Sequence, residues 1–171
     1  HTEKGDIAAD YVVNAAGYYA QRVGEWFKPY GGRTVPMMVM EHQYLLTEQI
    51  PEVVAWSEEH GKKLPLIRDV DVSYYLRQEK GGYNLGPYEP NCKAHWEGGD
   101  AEMPDDFSFQ LWQEDLDRIE DIVTDAMERV PLMATTGVSS VINGPIPYAP
   151  DGLPLIGPMP GVDNAFEACV F

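Results

Sequence analysis

Apolar and polar residues along this chain alternate with two distinct periods. Most of the sequence alternates every second residue in short runs, which predicts half-buried strands at Val39 to Thr47, Leu64 to Arg68, Ser73 to Glu79 and Tyr83 to Tyr88. Gly81-Gly82 falls between the last two and predicts a hairpin turn. Further strands are expected at Val138 to Asn143 and Leu153 to Ile156, with Gly144-Pro145-Ile146-Pro147 as a turn between them. Tyr11 to Gly17 reads as a short buried strand running into a glycine turn, followed by an amphipathic stretch from Tyr18 to Phe27. Pro51 to Lys63 predicts a loop with some helix, and Glu97 to Asp106 an acidic surface connection.

The helical period is clearest from Ser108 to Val130. There Trp112, Leu116, Ile119, Val123, Met127 and Val130 recur at three and four residues. Glu114 with Arg118, and Asp125 with Arg129, are i,i+4 pairs of favourable polarity; Ser108 or Asp106 can cap the start and Pro131 stops the end. Together these elements predict an α+β fold, a mostly antiparallel or mixed sheet packed with one long and a few short helices in one compact unit. The last run, Asn164 to Phe171, reads as a strand ending on an apolar residue, and there is no initiating Met. Both ends are therefore expected to be cuts in a longer protein.

Composition narrows the classes of function. At 171 residues and 44% hydrophobic, the chain can bury a core. A net charge of −16 argues against nucleic acid and anionic membranes as partners, and no apolar run reaches membrane-helix length. Cys92 and Cys169 are far apart with no CxxC, so neither a disulfide framework nor a metal site is expected. Reduced thiols point to a cytosolic or organellar compartment, with no secretory signal at the N-terminus.

Four segments in order resemble the dimethylglycine and sarcosine dehydrogenase branch of the D-amino-acid-oxidase-like flavoproteins. They are Ala9 to Gly17; Glu41-His42-Gln43-Tyr44-Leu45-Leu46-Thr47; Arg68-Asp69 with Ser73 to Glu79 and Gly86 to Glu89; and Asn143-Gly144-Pro145 with Pro150 to Pro158. The resemblance implies a substrate-binding domain over residues 35–148, flanked by a fringe of the FAD-binding domain at 1–34 and by return strands toward it at 149–171. It implies FAD in the full-length parent, the missing FAD-binding segments of that same chain as partner, and a small N-methyl amino acid as substrate. The isolated piece is expected to be inactive, to hold no FAD and to self-associate, because no G-x-G-x-x-G occurs in these residues. The parent would be cytoplasmic if bacterial and in the mitochondrial matrix if eukaryotic. A second reading is a non-catalytic relative similar to the pyruvate dehydrogenase phosphatase regulatory subunit, acting through protein contacts.

Flavin amine oxidation needs groups on rigid strands that orient an amine and exclude water. The resemblance implies catalytic roles for His42 and Tyr75, although a lone strand histidine or tyrosine can equally be structural. Strand alternation puts Tyr75 and Arg77 on one face and Tyr74 on the other. Arg77, Arg68 and Tyr74 are the substrate-binding candidates, the two arginines because guanidinium forms bidentate pairs with carboxylates. Ala15, Ala16 and Gly17, with Pro154, Leu155 and Gly157, are the cofactor-binding candidates.

Overall fold

Most strands lie on or beside the runs that alternation predicts, with β6 an addition. The expected long helix is shorter, whereas Pro51–His60 is a full helix where a loop with some helix was expected. The computed structural model describes residues 1–96 and 102–171. Its elements are β1 (Val12–Asn14), α1 (Ala20–Glu25), β2 (Met38–Thr47), α2 (Pro51–His60), β3 (Ile67–Asp69), β4 (Tyr74–Glu79), β5 (Gly82–Pro87) and β6 (Ala94–His95). They continue with α3 (Glu120–Arg129), α4 (Pro131–Ala134), β7 (Val138–Tyr148), β8 (Leu155–Pro158) and β9 (Ala165–Cys169). This is an α+β fold with mixed pairing. Of the expected acidic connection, residues 97–101 lie outside the described residues.

The chain divides into two compact units where the sequence suggested one. The first comprises His1–Met40, Ala94–Met103 and Pro145–Phe171; the second comprises Glu41–Lys93 and Pro104–Gly144. Both flanking stretches expected to fringe a cofactor domain, 1–34 and 149–171, fall in the first unit.

In the first unit the strand order is β1-β9-β8, with β1 parallel to β9 and β8 antiparallel to it. Asn14, buried at the end of β1, donates from Nδ2 to the Ala20 carbonyl and accepts the Ala16 amide on Oδ1, so one side chain shapes the turn into α1. β1 itself is not the buried strand expected: Tyr11, Val12 and Val13 are exposed in this chain. Two glycine turns meet back to back, with Gly31 at φ +96° and Gly161 at φ +88°.

The second unit is built on the β4–β5 hairpin. Its turn residues are Lys80 (φ +47°) and Gly81 (φ +84°), one position earlier than expected, and two consecutive left-handed residues match the twist of the strands they join. β3 adds to β4, and β5 pairs with β2 through Leu45↔Leu85 and Leu46↔Asn84. One face of this sheet carries Leu45, Leu76, Leu85 and Tyr74 into a core closed by Ile122, Ala126 and Met133.

Of the expected helix from Ser108 to Val130, the α-helical part is α3 alone, Glu120–Arg129. Upstream, Trp112 bridges to Asn143 as a strand residue, and a single 3₁₀ turn at Leu116–Arg118 precedes the helix. Neither Ser108 nor Asp106 caps it, and the buried stripe centres on Ile122 and Ala126. Both predicted i,i+4 pairs give way to tertiary ones: Arg129 reaches Asp69 at 3.1 Å, and Arg118 turns inward. Pro131 does end α3, and it also occupies the first position of α4, where its missing amide costs nothing.

β7 corrects a second expectation, since Gly144 to Pro147 is strand and not turn. Alternate amides of a strand point to the same edge, so Pro145 and Pro147 both remove donors from one edge and leave the other able to pair.

A methyl group at Gly161 would stand 1.9 Å from the Gly31 carbonyl oxygen. Gly161→Ala should therefore cost about 1–3 kcal/mol through backbone strain and displacement of the facing turn. A lower denaturation midpoint with unchanged secondary structure is the expected readout.

Candidate functional site

The face of the second unit's sheet that turns away from the core gathers most of the candidate residues. Leu45, Leu85 and Leu76 are paired across three strands and point into the core, so their sequence neighbours point outward. His42 and Tyr44 alternate with Leu45 on β2 and therefore point away from the core. Tyr75 pairs with Gly86 and with Arg68, and Arg77 follows two residues on. His42, Tyr44, Tyr75 and Tyr88, with Arg68 and Arg77, thus share one face, and none of the six is fully buried.

Contacts on that face agree with the register. The Tyr75 and Tyr88 rings meet edge to face at 6.0 Å, and the Arg68 guanidinium lies over the Tyr88 ring at 4.9 Å. Tyr75 lies flat across Gly86: a Cβ there would stand 2.0 Å from the ring carbons, so only glycine lets the phenol settle onto the sheet. Arg77 approaches Glu79 at 3.8 Å, while Arg68 has no carboxylate partner among the described residues. Tyr74, proposed from sequence for substrate, sits elsewhere. It is 1% exposed, in the core on the opposite face.

Electrostatics suit polar chemistry at neutral pH. Burial holds the His42 imidazole below its ordinary 6.5, with the Glu89 charge opposing part of that shift, so the ring is neutral at pH 7 and can accept a hydrogen bond. Burial pushes the Tyr75 hydroxyl above its usual 10.0, against the Arg77 charge and helped by Tyr88 and Tyr44, so it remains a donor.

Behind His42, on the inward face of β2, lies a buried polar network that sequence reasoning missed. Arg118 donates from Nη1 to Glu41 Oε2 and from Nε to Glu89 Oε2 at 2.8 Å. The three side chains are 10%, 8% and 1% exposed. The Gln43 amide donates to Glu89 Oε1 at 3.0 Å, and the Gln43 side chain exchanges two hydrogen bonds with the Asp115 main chain, at 2.7 and 2.9 Å. Asn143 Nδ2 donates to Glu41 Oε2 at 3.1 Å and to the Gln113 carbonyl. Burial works against the Arg118 charge, but Glu41, Glu89 and Asp115 outweigh it and hold the guanidinium above its ordinary value. The available signal was parity: Glu41 alternates inward with Leu45, and an inward carboxylate demands a cation. Tyr44 was legible the same way, two residues from His42 on the outward side of β2.

The remaining candidates belong to the first unit. Ala15, Ala16 and Gly17 form the turn shaped by Asn14, while Leu155 and Gly157 lie on β8 and Pro154 just precedes it. Gly157 pairs with buried Glu167, whose Oε2 accepts from Arg33 at 2.9 Å.

The fold is that of D-amino-acid-oxidase-like flavoproteins. The L-proline dehydrogenase of P.horikoshii superposes with a TM-score of 0.68 at 18% identity, over 99% of this chain and 39% of that one. A family model described as FAD dependent oxidoreductase matches residues 1–171, and the chain belongs to that family. It is 41% identical over 172 residues to the mitochondrial dimethylglycine dehydrogenase of Mus musculus, covering 99% of this chain and 19% of that protein. To the mitochondrial sarcosine dehydrogenase of Mus musculus it is 35% identical over 170 residues, covering 99% and 17%. The chain thus spans less than a fifth of the first and about a sixth of the second.

Two of the cofactor candidates are open glycines. Gly17 (φ +57°) and Gly157 (φ +151°) have nothing within 4 Å of where a Cβ would stand, bare backbone that a flat ring could approach. The pyrophosphate finds no match, because the sequence has no G-x-G-x-x-G.

Two outcomes follow from the electrostatics. Arg118→Met leaves two buried carboxylates without a cation and should cost about 3–5 kcal/mol, read as a fall in the urea midpoint, whereas adding Glu41→Gln and Glu89→Gln should recover much of that loss. A folded-state pKa below 6.5 means that the unfolded state takes up the His42 proton more readily. The stability that His42 contributes is therefore complete above pH 6.5 and lost as pH falls through the native value. Between pH 7.5 and 5 the wild type should lose more stability than His42→Gln.

Proposed function

We propose that the protein carrying this chain is an FAD-dependent oxidoreductase that oxidatively demethylates an N-methylated glycine, dimethylglycine or sarcosine. The single observation that supports this is the convergence of a neutral imidazole, a protonated phenol and an unpaired guanidinium on one face of a rigid sheet. A substrate with a carboxylate at one end and an amine at the other matches that set. Arg68, assisted by Arg77, holds the carboxylate by charge-assisted hydrogen bonds. His42 accepts a proton from the amine and keeps its lone pair free. Tyr75 donates to the substrate from a fixed height above Gly86, and the Tyr44 and Tyr88 rings exclude water.

The turns at Ala15 to Gly17 and Pro154 to Gly157 are the residues of this chain that would touch a flavin, and the chemistry it would supply is acceptance of a hydride equivalent from the N-methyl carbon. Water then adds to the iminium left behind, which breaks into the demethylated amine and formaldehyde. A regulatory relative acting through protein contacts has no need of this set of groups, so the face favours catalysis. The isolated chain would be inactive and free of flavin, lacking a phosphate-cradling turn. Exposed Tyr11, Val12, Val13, Ile156 and Phe171 on the first unit give it surface through which to self-associate.

The full-length protein should bleach its flavin absorbance anaerobically with dimethylglycine or sarcosine and release formaldehyde. His42→Gln and Tyr75→Phe should each slow bleaching by about a hundredfold, and Arg68→Gln should chiefly raise the KM. Flavin left fully oxidised by both amines would overturn the reading.

A further inference from the structure

We propose that Arg118 is a positioning residue for His42, acting through the segment of β2 that carries the imidazole. Main-chain pairing of β2 with β6 ends at Met40, and pairing with β5 begins at Leu45. Glu41 to Tyr44 lie between those two ladders. The amides of alternate strand residues point to one edge, so Val39, Glu41, Gln43 and Leu45 all direct theirs toward the side where β6 and then β5 stand. The Glu41 amide finds the Lys93 carbonyl at 2.8 Å.

The Gln43 amide finds a carboxylate, Glu89 Oε1, where a ladder would offer a carbonyl. Glu89 can substitute for that carbonyl only if its charge is neutralised in the dry interior, and Arg118 does this while also gripping Glu41. Both residues that flank His42 in sequence are therefore held by side chains that converge on one guanidinium. Gln43 is fixed again by its paired bonds to Asp115, three residues before Arg118. β7 also pairs with β2, so it is on the edge facing β5 and β6, where a main-chain ladder is missing, that these side chains hold the stretch bearing the imidazole. Its surroundings are Tyr44 on β2, Tyr88 after β5, Tyr75 on β4 and Arg68 on β3, with Glu89 the charge that acts on it.

This inference rests on the catalytic reading of His42 only for its rate readout. In the full-length protein, the His42 resonance is assigned by its loss in His42→Gln and titrated by NMR in Glu89→Gln, Arg118→Lys and Met133→Ala. Met133 is a core residue of the same unit, 2% exposed, so its truncation destabilises without touching the clamp. Glu89→Gln keeps an acceptor for the Gln43 amide but removes the charge, and should lower the His42 pKa by about half a unit or more. Arg118→Lys cannot fork between two carboxylates. It should displace the His42 resonance at fixed pH and lower the limiting rate of amine oxidation at least about tenfold, with KM changed less than about threefold. Met133→Ala should leave the His42 titration where it is. If Arg118→Lys moves that titration no further than Met133→Ala does, the proposal is overturned. Should Arg118→Lys not fold, Glu41→Gln, which loosens the same guanidinium without removing the Glu89 charge, decides by the same comparison. A His42 shift in a protein that oxidises neither N-methylglycine would uphold the clamp and refute the assigned reaction.

Discussion

Two glutamates buried side by side are the constraint around which the second unit is arranged. Glu41 on β2 and Glu89 just beyond β5 both turn inward, where an uncompensated carboxylate costs several kcal/mol. One guanidinium satisfies both, and it has to come from the segment between Phe107 and Glu120. That requirement explains why the segment does not complete the helix its apolar spacing suggests. Helical residues at 108–118 would commit the Asp115 amide and carbonyl to their own turns, whereas here both are bonded to Gln43.

The period of two in β2 then separates two tasks on one strand. Its inward residues, Glu41 and Gln43, build the polar network and, from Leu45 on, the apolar core. Its outward residues, His42 and Tyr44, face the open side beside Tyr75 and Tyr88. A shift of register by one residue would exchange the two sets, burying an imidazole and exposing the Glu41 carboxylate. The cost of misplacing Glu41 therefore also holds His42 on the correct face.

Strand positions and face assignments were legible in the sequence because alternation is a local signal. It separated Tyr75 from Tyr74, and the structure agrees, with Tyr74 in the core and Tyr75 over Gly86. Where the sequence misled, a tertiary partner had overruled a local preference. Arg118 has Glu114 at helical spacing, yet two buried carboxylates compete for it more strongly than an exposed pair worth a few tenths of a kcal/mol. Pro145 and Pro147 look like turn residues, and nothing local reveals that both amides fall on one edge of a strand. The division into two units was likewise hidden, since it joins segments remote in sequence.

The tight turn at Lys80–Gly81 has a consequence for how the face comes together. All pairs between β4 and β5 join residues near one another in sequence, whereas the pairing of Leu45 with Leu85 closes a loop of about 40 residues. Chain entropy favours the short closure. The hairpin can thus bring the two tyrosines at 75 and 88 into contact while the strand bearing the imidazole is still unattached, so the histidine joins a surface that is already assembled.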